Sequence, residues 1–261
     1  MVDDFGVKFR NTQGHDHFLN PQYGAKVQIS YNKDDSSPLS ATDTTTLQAI
    51  TDSLLYYARA VDPTMLPAVN AIASSQARPS TMVRDAAIRL LQYARAYPAN
   101  AVEFHKSKMD LILQTDASYL SRSNSRSVAG GIGNFGDASN PSKENGMVYA
   151  MSSIIDVIVA SAGEAEYGTT FLNAQQGVHL RNIAFAMGHP QGVTPILCDN
   201  LFAIGLATDT IKQKRSKSID MRFHWIRDRI RQGQFRMVHL SGKLILEITL
   251  LNPSPPPFIR M

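Results

Sequence analysis

The chain has 261 residues, 43% of them hydrophobic and 18% charged, with one cysteine and a formal net charge of +4. That length suits one sizeable α/β core plus a smaller appendage, and the single Cys198 excludes an intrachain disulfide and, with no His/Cys cluster at zinc spacing, points to an intracellular, reducing compartment. No apolar run reaches the roughly 20 residues that span a bilayer, and the start, with Asp3 and Asp4, lacks the basic and apolar regions of a signal peptide, so a soluble chain with no membrane contact is expected.

Residues 10–46 are rich in Asn, Gln, Asp, Ser and Thr, with Pro21 and Pro38 and no sustained periodicity, and read as loop or disordered linker. From Leu47 a helical face follows, Leu47, Ile50, Leu54, Ala58 and Val61, which stops at Asp62 and Pro63. Asp62 reads as the N-cap of a second helix toward Ser74, and Ser80 as the cap of a third carrying Val83, Ala87, Leu90 and Ala94.

After Asn100 the pattern shifts to short strands. Leu111–Leu113 leads into Thr115, Asp116, Ala117 and Ser118, a buried strand with a carboxylate at its end. Ser127–Phe135 is a second strand whose Gly130, Gly131 and Gly133 allow close approach by a neighbour. Met147–Ala160 makes a third, interrupted near Asp156. Glu164–Met187 reads as a long central helix weakened by Gly168 and Gly177. Pro195–Asp199 is a fourth strand, again ending in a carboxylate, and Asn200 starts a short helix toward Thr208. Ile219, Phe223, Ile226 and Ile230 mark another helix, and Phe235–Leu240 a fifth strand. This order predicts an α/β fold, a mixed five-stranded sheet flanked by helices and preceded by a small helical segment.

Asp116, Glu166 and Asp199 are the informative set, since strand ends and the first turn of the long helix bring them toward one sheet edge. Three such carboxylates repel and desolvate one another unless divalent cations neutralise them. Mg²⁺, with Mn²⁺ as an alternative, takes oxygen ligands, and two such ions about 4 Å apart activate water and stabilise a leaving phosphodiester oxygen. Each acid alone has another use: Asp116 and Asp199 in a turn or N-cap, Glu164 and Glu166 at the positive end of their helix.

Four ordered motifs carry a resemblance. Asp116-Ala117-Ser118 followed by Arg126-Ser127 and Gly130, Ser161-Ala162-Gly163-Glu164-Ala165-Glu166-Tyr167, Cys198-Asp199-Asn200, and Lys217 through Arg227 together resemble the ribonuclease H of copia-type retrotransposon polyproteins. The resemblance implies a ribonuclease H-like domain over 109–240, with Asp116, Glu166 and Asp199 as catalytic and metal-holding residues, Glu166 being preferred to Glu164. It implies Mg²⁺-dependent cleavage of RNA in an RNA–DNA hybrid.

Upstream, Ser53 through Pro63 resembles the segment after the copia reverse transcriptase palm, so 47–98 is thumb- or connection-like, and Val2-Asp3-Asp4 resembles the tail of a polymerase Y-V-D-D motif. Residues 1–46 are then a polymerase remnant and linker, and no reverse transcriptase activity is expected.

Lys212, Lys214, Arg215 and Lys217, with Arg222 and Arg227 on the next helix, are placed to hold the phosphates of a hybrid or other nucleic acid. A solvated helix face with its own ion pairs is the alternative. Trp225 and Phe223 suit a core better than base stacking.

The family continues after its last strand with a pattern whose Asp is a fourth metal-site carboxylate. Here Ser241-Gly242-Lys243 keeps the beginning, but Leu244 through Pro253 departs from it. Codons for Ile248 through Pro253, read one base out of frame, spell Asp-Tyr-Phe-Thr-Lys-Pro, which points to a frameshift just after Lys243 and an aberrant tail over 241–261. Glu247 is a chance substitute for the missing acid. Two readings compete with the nuclease: a catalytically dead relic that binds nucleic acid, and a DDE-type integrase, which the motifs fit less well.

Overall fold

The structure is a computed structural model that describes residues 7–10, 16–19, 34–98, 102–122, 126–143, 145–157, 159–211 and 220–241, with the backbone alone at 7–10, 16–19 and 220–223. The described residues fall into two compact units, a largely helical one up to residue 98 that also takes in Ser121 and Arg122, and an α/β one of residues 102–120 and 126–241. Among them no helix is long and apolar enough to cross a membrane.

In the first unit, β1 (Val7–Arg10) and β2 (Asp16–Leu19) pair antiparallel, Val7 opposite Leu19 and Arg10 opposite Asp16. This corrects the loop reading of 10–46, as does α1 (Ala41–Ala60), which starts six residues before the apolar stripe. Its polar first turn is closed by its own side chains. Ser40 Oγ accepts from Asp43 N at 3.1 Å, and the hydroxyls of Thr44, Thr45 and Thr46 each donate to the carbonyl four residues back. A 3₁₀ turn (Pro63–Met65), α2 (Leu66–Ala73) and α3 (Thr81–Ala96) follow. Asp62 and Ser80 are the caps: the Asp62 carboxylate accepts from Thr64 N at 3.1 Å, and Ser80 Oγ from Val83 N at 3.3 Å. Leu47, Ile72, Val83 and Ala87 form the core.

The second unit is built on a mixed five-stranded sheet. Its strands are β3 (Asp110–Arg122), β4 (Arg126–Gly136), β5 (Met147–Ile154), β6 (Thr194–Cys198) and β7 (Phe235–His239), in the order β5-β4-β3-β6-β7. β4 and β5 run antiparallel, while β3 with β6 and β6 with β7 run parallel. Among the described residues three helices flank the sheet: α4 (Ala162–Ala186), α5 (Leu201–Ala207) and α6 (Asp220–Arg231). This is the mixed α/β architecture expected of a ribonuclease H-like domain.

Two expectations are corrected. β3 runs on through Arg122, so Asp116 lies within the strand rather than at its end. β5 stops at Ile154 rather than Ala160, because the Arg126 guanidinium takes the carbonyls of Ile155 and Asp156 that a longer strand would use.

The long helix α4 crosses the sheet closely where the strand and helix glycines permit it. A Cβ on Gly131 of β4 would fall 1.8 Å from Asn173 Oδ1, and one on Gly177 of α4 2.6 Å from Leu113 Cδ1. Asn173 Nδ2 donates to the Gly130 carbonyl at 3.2 Å across that contact. Leu111, Leu113, Ala174, Ile196 and Phe235 fill the space between α4 and the sheet. Gly177 therefore belongs to the packing and is not a mere weakness of the helix. Trp225 packs in a T-shape on Phe171, ring centroids 5.4 Å apart, as a core residue.

Candidate active site

Parallel pairing of β3 with β6 sets Leu113 beside Ile196 and Gln114 beside Leu197. Carried on by two residues, just past the end of β6, that register brings Asp199 toward Asp116, whose carboxyl feels its charge. Asp199 leads into α5, but it does not cap it. The Asn200 side chain takes that task, accepting from Phe202 N at 3.0 Å and Ala203 N at 3.1 Å, and so leaves the Asp199 carboxylate out of the cap.

The third acid comes from α4, whose start separates two glutamates by use. Ser161 Oγ accepts from Glu164 N at 3.2 Å, and Glu164 Oε2 accepts from Ala160 N at 2.8 Å, a reciprocal cap that consumes Glu164. Glu166, two residues on, turns inward and is buried, with Oε1 accepting from Ala117 N at 3.0 Å. Gly163 lets this end of the helix seat against α5, since a Cβ there would stand 2.4 Å from Phe202 Cδ1.

Electrostatics follow from that burial. Loss of water and the nearby Asp199 charge push the Asp116 carboxyl up to about 7, against the opposing effect of its hydrogen bond with Glu166. Burial, then Asp116 and Asp199, hold Glu166 well above the ordinary carboxylate range. Asp116 Oδ1 and Glu166 Oε2 are buried with no hydrogen-bond partner. An orphaned buried oxygen is costly, and here two of them sit within one cluster of acids.

Ligand atoms of Glu166, Cys198 and Asp199 lie within 4.8 Å of one another. Burial and the neighbouring carboxylates raise the Cys198 thiol far above its usual value and keep it protonated. The oxygens are thus the donors on offer to a hard cation. Sequence reasoning missed two members of this neighbourhood, the Ala117 N–H and the Cys198 thiol. The only signal for either was adjacency to an acid within its motif.

The basic residues fare differently. Lys212, Lys214, Arg215 and Lys217 lie outside the described residues, as do the Arg222 side chain, Asp3, Asp4 and Glu247. Arg227, a proposed phosphate contact on sequence, has partners within the domain, as the alternative of a helix face with its own ion pairs expects. Its Nε donates to the Leu206 carbonyl at 2.7 Å and its Nη1 pairs with Asp209 Oδ1 at 2.9 Å, tying α6 to the end of α5. Arg231 shares that aspartate, its Nη2 at 3.2 Å from Oδ2.

No protein-family profile matches the chain. It is 24% identical over 190 residues to the retrovirus-related Pol polyprotein from transposon TNT 1-94 of Nicotiana tabacum, a match covering 72% of this chain and 14% of that protein. Against the retrovirus-related Pol polyprotein from transposon RE1 of Arabidopsis thaliana it is 25% identical over 218 residues, covering 81% of this chain and 14% of that one. The chain thus spans about a seventh of the length of these relatives.

Among solved structures, the LC11 RNase H1 in complex with an RNA/DNA hybrid aligns with a TM-score of 0.41 at 13% identity, over 54% of this chain and 93% of that one. A foamy viral protease-reverse transcriptase in complex with dsDNA aligns with a TM-score of 0.47 at 11% identity, over 91% of this chain and 45% of that one. The sequence relatives agree with the motif resemblance: the chain corresponds to a fragment of a retrotransposon polyprotein.

Proposed function

We propose that this fragment is the ribonuclease H portion of a copia-type retrotransposon polyprotein, preceded by the end of its reverse transcriptase, and that its chemistry is divalent-cation-dependent hydrolysis of the RNA strand of an RNA–DNA hybrid. The observation that carries this reading is the convergence of Asp116, Glu166 and Asp199 from β3, α4 and the end of β6, with Asp116 Oδ1 and Glu166 Oε2 buried and unpaired.

The donor set fits a hard cation. Burial and the Asp199 charge raise the pKa of Asp116 and Glu166, and two of their oxygens are unsatisfied, an arrangement that a dication stabilises. When bound, Mg²⁺, with Mn²⁺ as an alternative, supplies the positive charge that activates the attacking water and stabilises the leaving phosphodiester oxygen.

The chain's own residues do the placing. Ala117 N–H holds one Glu166 oxygen and so leaves the other for the ion. Asn200 keeps Asp199 out of the α5 cap. Lys212, Lys214, Arg215, Lys217 and Arg222 are the proposed phosphate contacts, whose strength falls with salt. The 2′-OH and minor-groove width of a hybrid are what would mark its RNA strand. An intracellular setting goes with this reading.

The tail after Lys243 carries the second reading. Without the family's fourth acid, the domain keeps its fold and nucleic-acid surface but turns over weakly. The test is cleavage of a labelled RNA–DNA hybrid by the purified chain with Mg²⁺, with duplex-DNA strand transfer and primer extension as controls. Cleavage confined to RNA, with neither control active, supports the reading. Strand transfer would make it an integrase, and nucleotide incorporation would overturn the view of Asp3 and Asp4 as a remnant.

A further inference from the structure

We infer that Cys198, Glu166 and Asp199 form a second coordination mode, a site for a thiophilic divalent cation of the Zn²⁺ or Cd²⁺ class, which competes with the hard ion for the same two carboxylates. The competition rests on the nuclease reading above; the thiophilic binding itself does not.

The geometry is tertiary and invisible to motif spacing. Cys198 closes β6, Asp199 follows it, and Glu166 arrives from α4, so one sulfur and two carboxylates meet with ligand atoms within 4.8 Å of one another. A cation at the centre of such a triangle stands about 2.8 Å or less from each atom. Side-chain movements of about half to four-fifths of an ångström then reach the roughly 2.3 Å of a Zn–S bond and 2.0–2.2 Å of Zn–O, with a solvent ligand completing a tetrahedron.

A second observation points to a ligand at the same place. Glu166 is 95% buried by its 5% relative exposure, and its Oε2 has no hydrogen-bond partner. Tyr167, Ala203, Leu206 and Ile226 back the sulfur with apolar surface, and its Sγ meets the Asn200 carbonyl at 3.9 Å and the Thr115 hydroxyl. The two modes are sorted by donor softness. Mg²⁺ prefers carboxylate and water oxygens and ignores a thiol, whereas Zn²⁺ and Cd²⁺ gain from thiolate. On binding, the Cys198 S–H bond gives way to an S–metal bond, the proton goes to solvent, and nothing is oxidised or reduced. Glu166 and Asp199 are then drawn away from Asp116, so the hard site loses two of its three acids.

The chain's one cysteine makes the test clean, because any metal–thiolate signal belongs to Cys198. Cd²⁺ is titrated into the full chain, reading the near-ultraviolet sulfur-to-cadmium charge-transfer band and the melting temperature, with Mg²⁺ melting shifts run in parallel. The expected result is a saturable band at one Cd²⁺ per chain and an Mg²⁺ shift that shrinks as Cd²⁺ rises. Cys198→Ser loses the band and binds Cd²⁺ roughly tenfold or more weakly, yet keeps its response to Mg²⁺. Cys198→Ala, which adds no buried hydroxyl, gives the same outcome should the serine variant unfold. Mg²⁺ stabilisation with no thiolate band overturns this inference alone. A thiolate band with no Mg²⁺ response would keep the soft site and remove the nuclease site, and the absence of both would remove both.

Discussion

Two buried aspartates, Asp62 in the helical unit and Asp116 in the sheet, are 3% and 6% exposed and put to opposite uses. Asp62 is consumed by its own chain. It caps the turn that follows, accepting from Thr64 N at 3.1 Å and from the Thr64 hydroxyl at 2.5 Å. Asp116 faces two other acids, and one of its oxygens goes unpaired. A satisfied buried carboxylate is architecture, since a cap is worth about 1 kcal/mol and asks for nothing further. An unsatisfied one within a cluster of its own kind destabilises the fold until a cation arrives.

If Asp116 and its neighbours serve chemistry, the largest effect belongs to activity. Asp199→Asn, made in a chain that cleaves hybrid, is expected to reduce cleavage by about a thousandfold, several kcal/mol of transition-state stabilisation at about 1.4 kcal/mol per decade. Asp62→Asn should leave the rate within about twofold in the same gel assay. A comparable loss in both variants would erase the distinction.

The tail gives the next largest effect. Replacing the residues after Lys243 by the alternative-frame sequence, which restores the Asp of the family pattern, is expected to raise hybrid cleavage by at least about tenfold. A repaired protein that folds and binds hybrid but cuts no faster would show that the fourth acid is not the limiting defect. Full activity without repair would show that Glu247 or another acid has taken its place.

Stability against pH sharpens the contrast further. The Asp116 carboxyl, at about 7 in the fold against an ordinary 3.8, keeps a proton that the unfolded chain releases. Its contribution to stability is therefore full at acid pH, falls as pH rises from about 4 to 7, and is gone above that. In EDTA, the melting temperature should drop by several degrees between about pH 5 and 8, given about 2–4 °C per kcal/mol for a chain of this size. Asp116→Asn should flatten that slope, with circular dichroism as the readout. A slope unchanged by the substitution would place its origin elsewhere.

The smallest effect falls on Asp62. Asp62→Ala should cost about 1 kcal/mol in urea denaturation and leave the response to Mg²⁺ untouched.

The contrast between the two aspartates was only half legible in the sequence. Asp62 was readable because its use is local: an acid directly before a proline and a helical stripe is a cap, and the cap is there. Asp116 looked equally like a turn residue. Its meaning depends on Asp199, which β6 brings alongside across more than eighty residues, and on Glu166, which α4 turns inward.

The choice of Glu166 over Glu164 rested on resemblance, whereas the structure separates the two by the cap that occupies Glu164. For Arg227 the sequence displays a charge without its partner, Asp209, which lies on a turn eighteen residues earlier. The strands were readable from buried runs such as Leu111–Leu113 and Pro195–Cys198, whereas their order in the sheet comes from long-range pairing that no local run displays. The start of α1 was not, since Thr44, Thr45 and Thr46 read as loop until their hydroxyls are seen bonded back to the helix.

The most direct measurement is the melting temperature of the purified chain in EDTA and in Mg²⁺, for the parent and for Asp199→Asn. If three carboxylates await a cation, the substitution raises the EDTA value by removing a repelling charge and abolishes the Mg²⁺-induced rise seen in the parent. An equal Mg²⁺ response in both proteins, or none in the parent, would contradict a cation site at Asp116, Glu166 and Asp199.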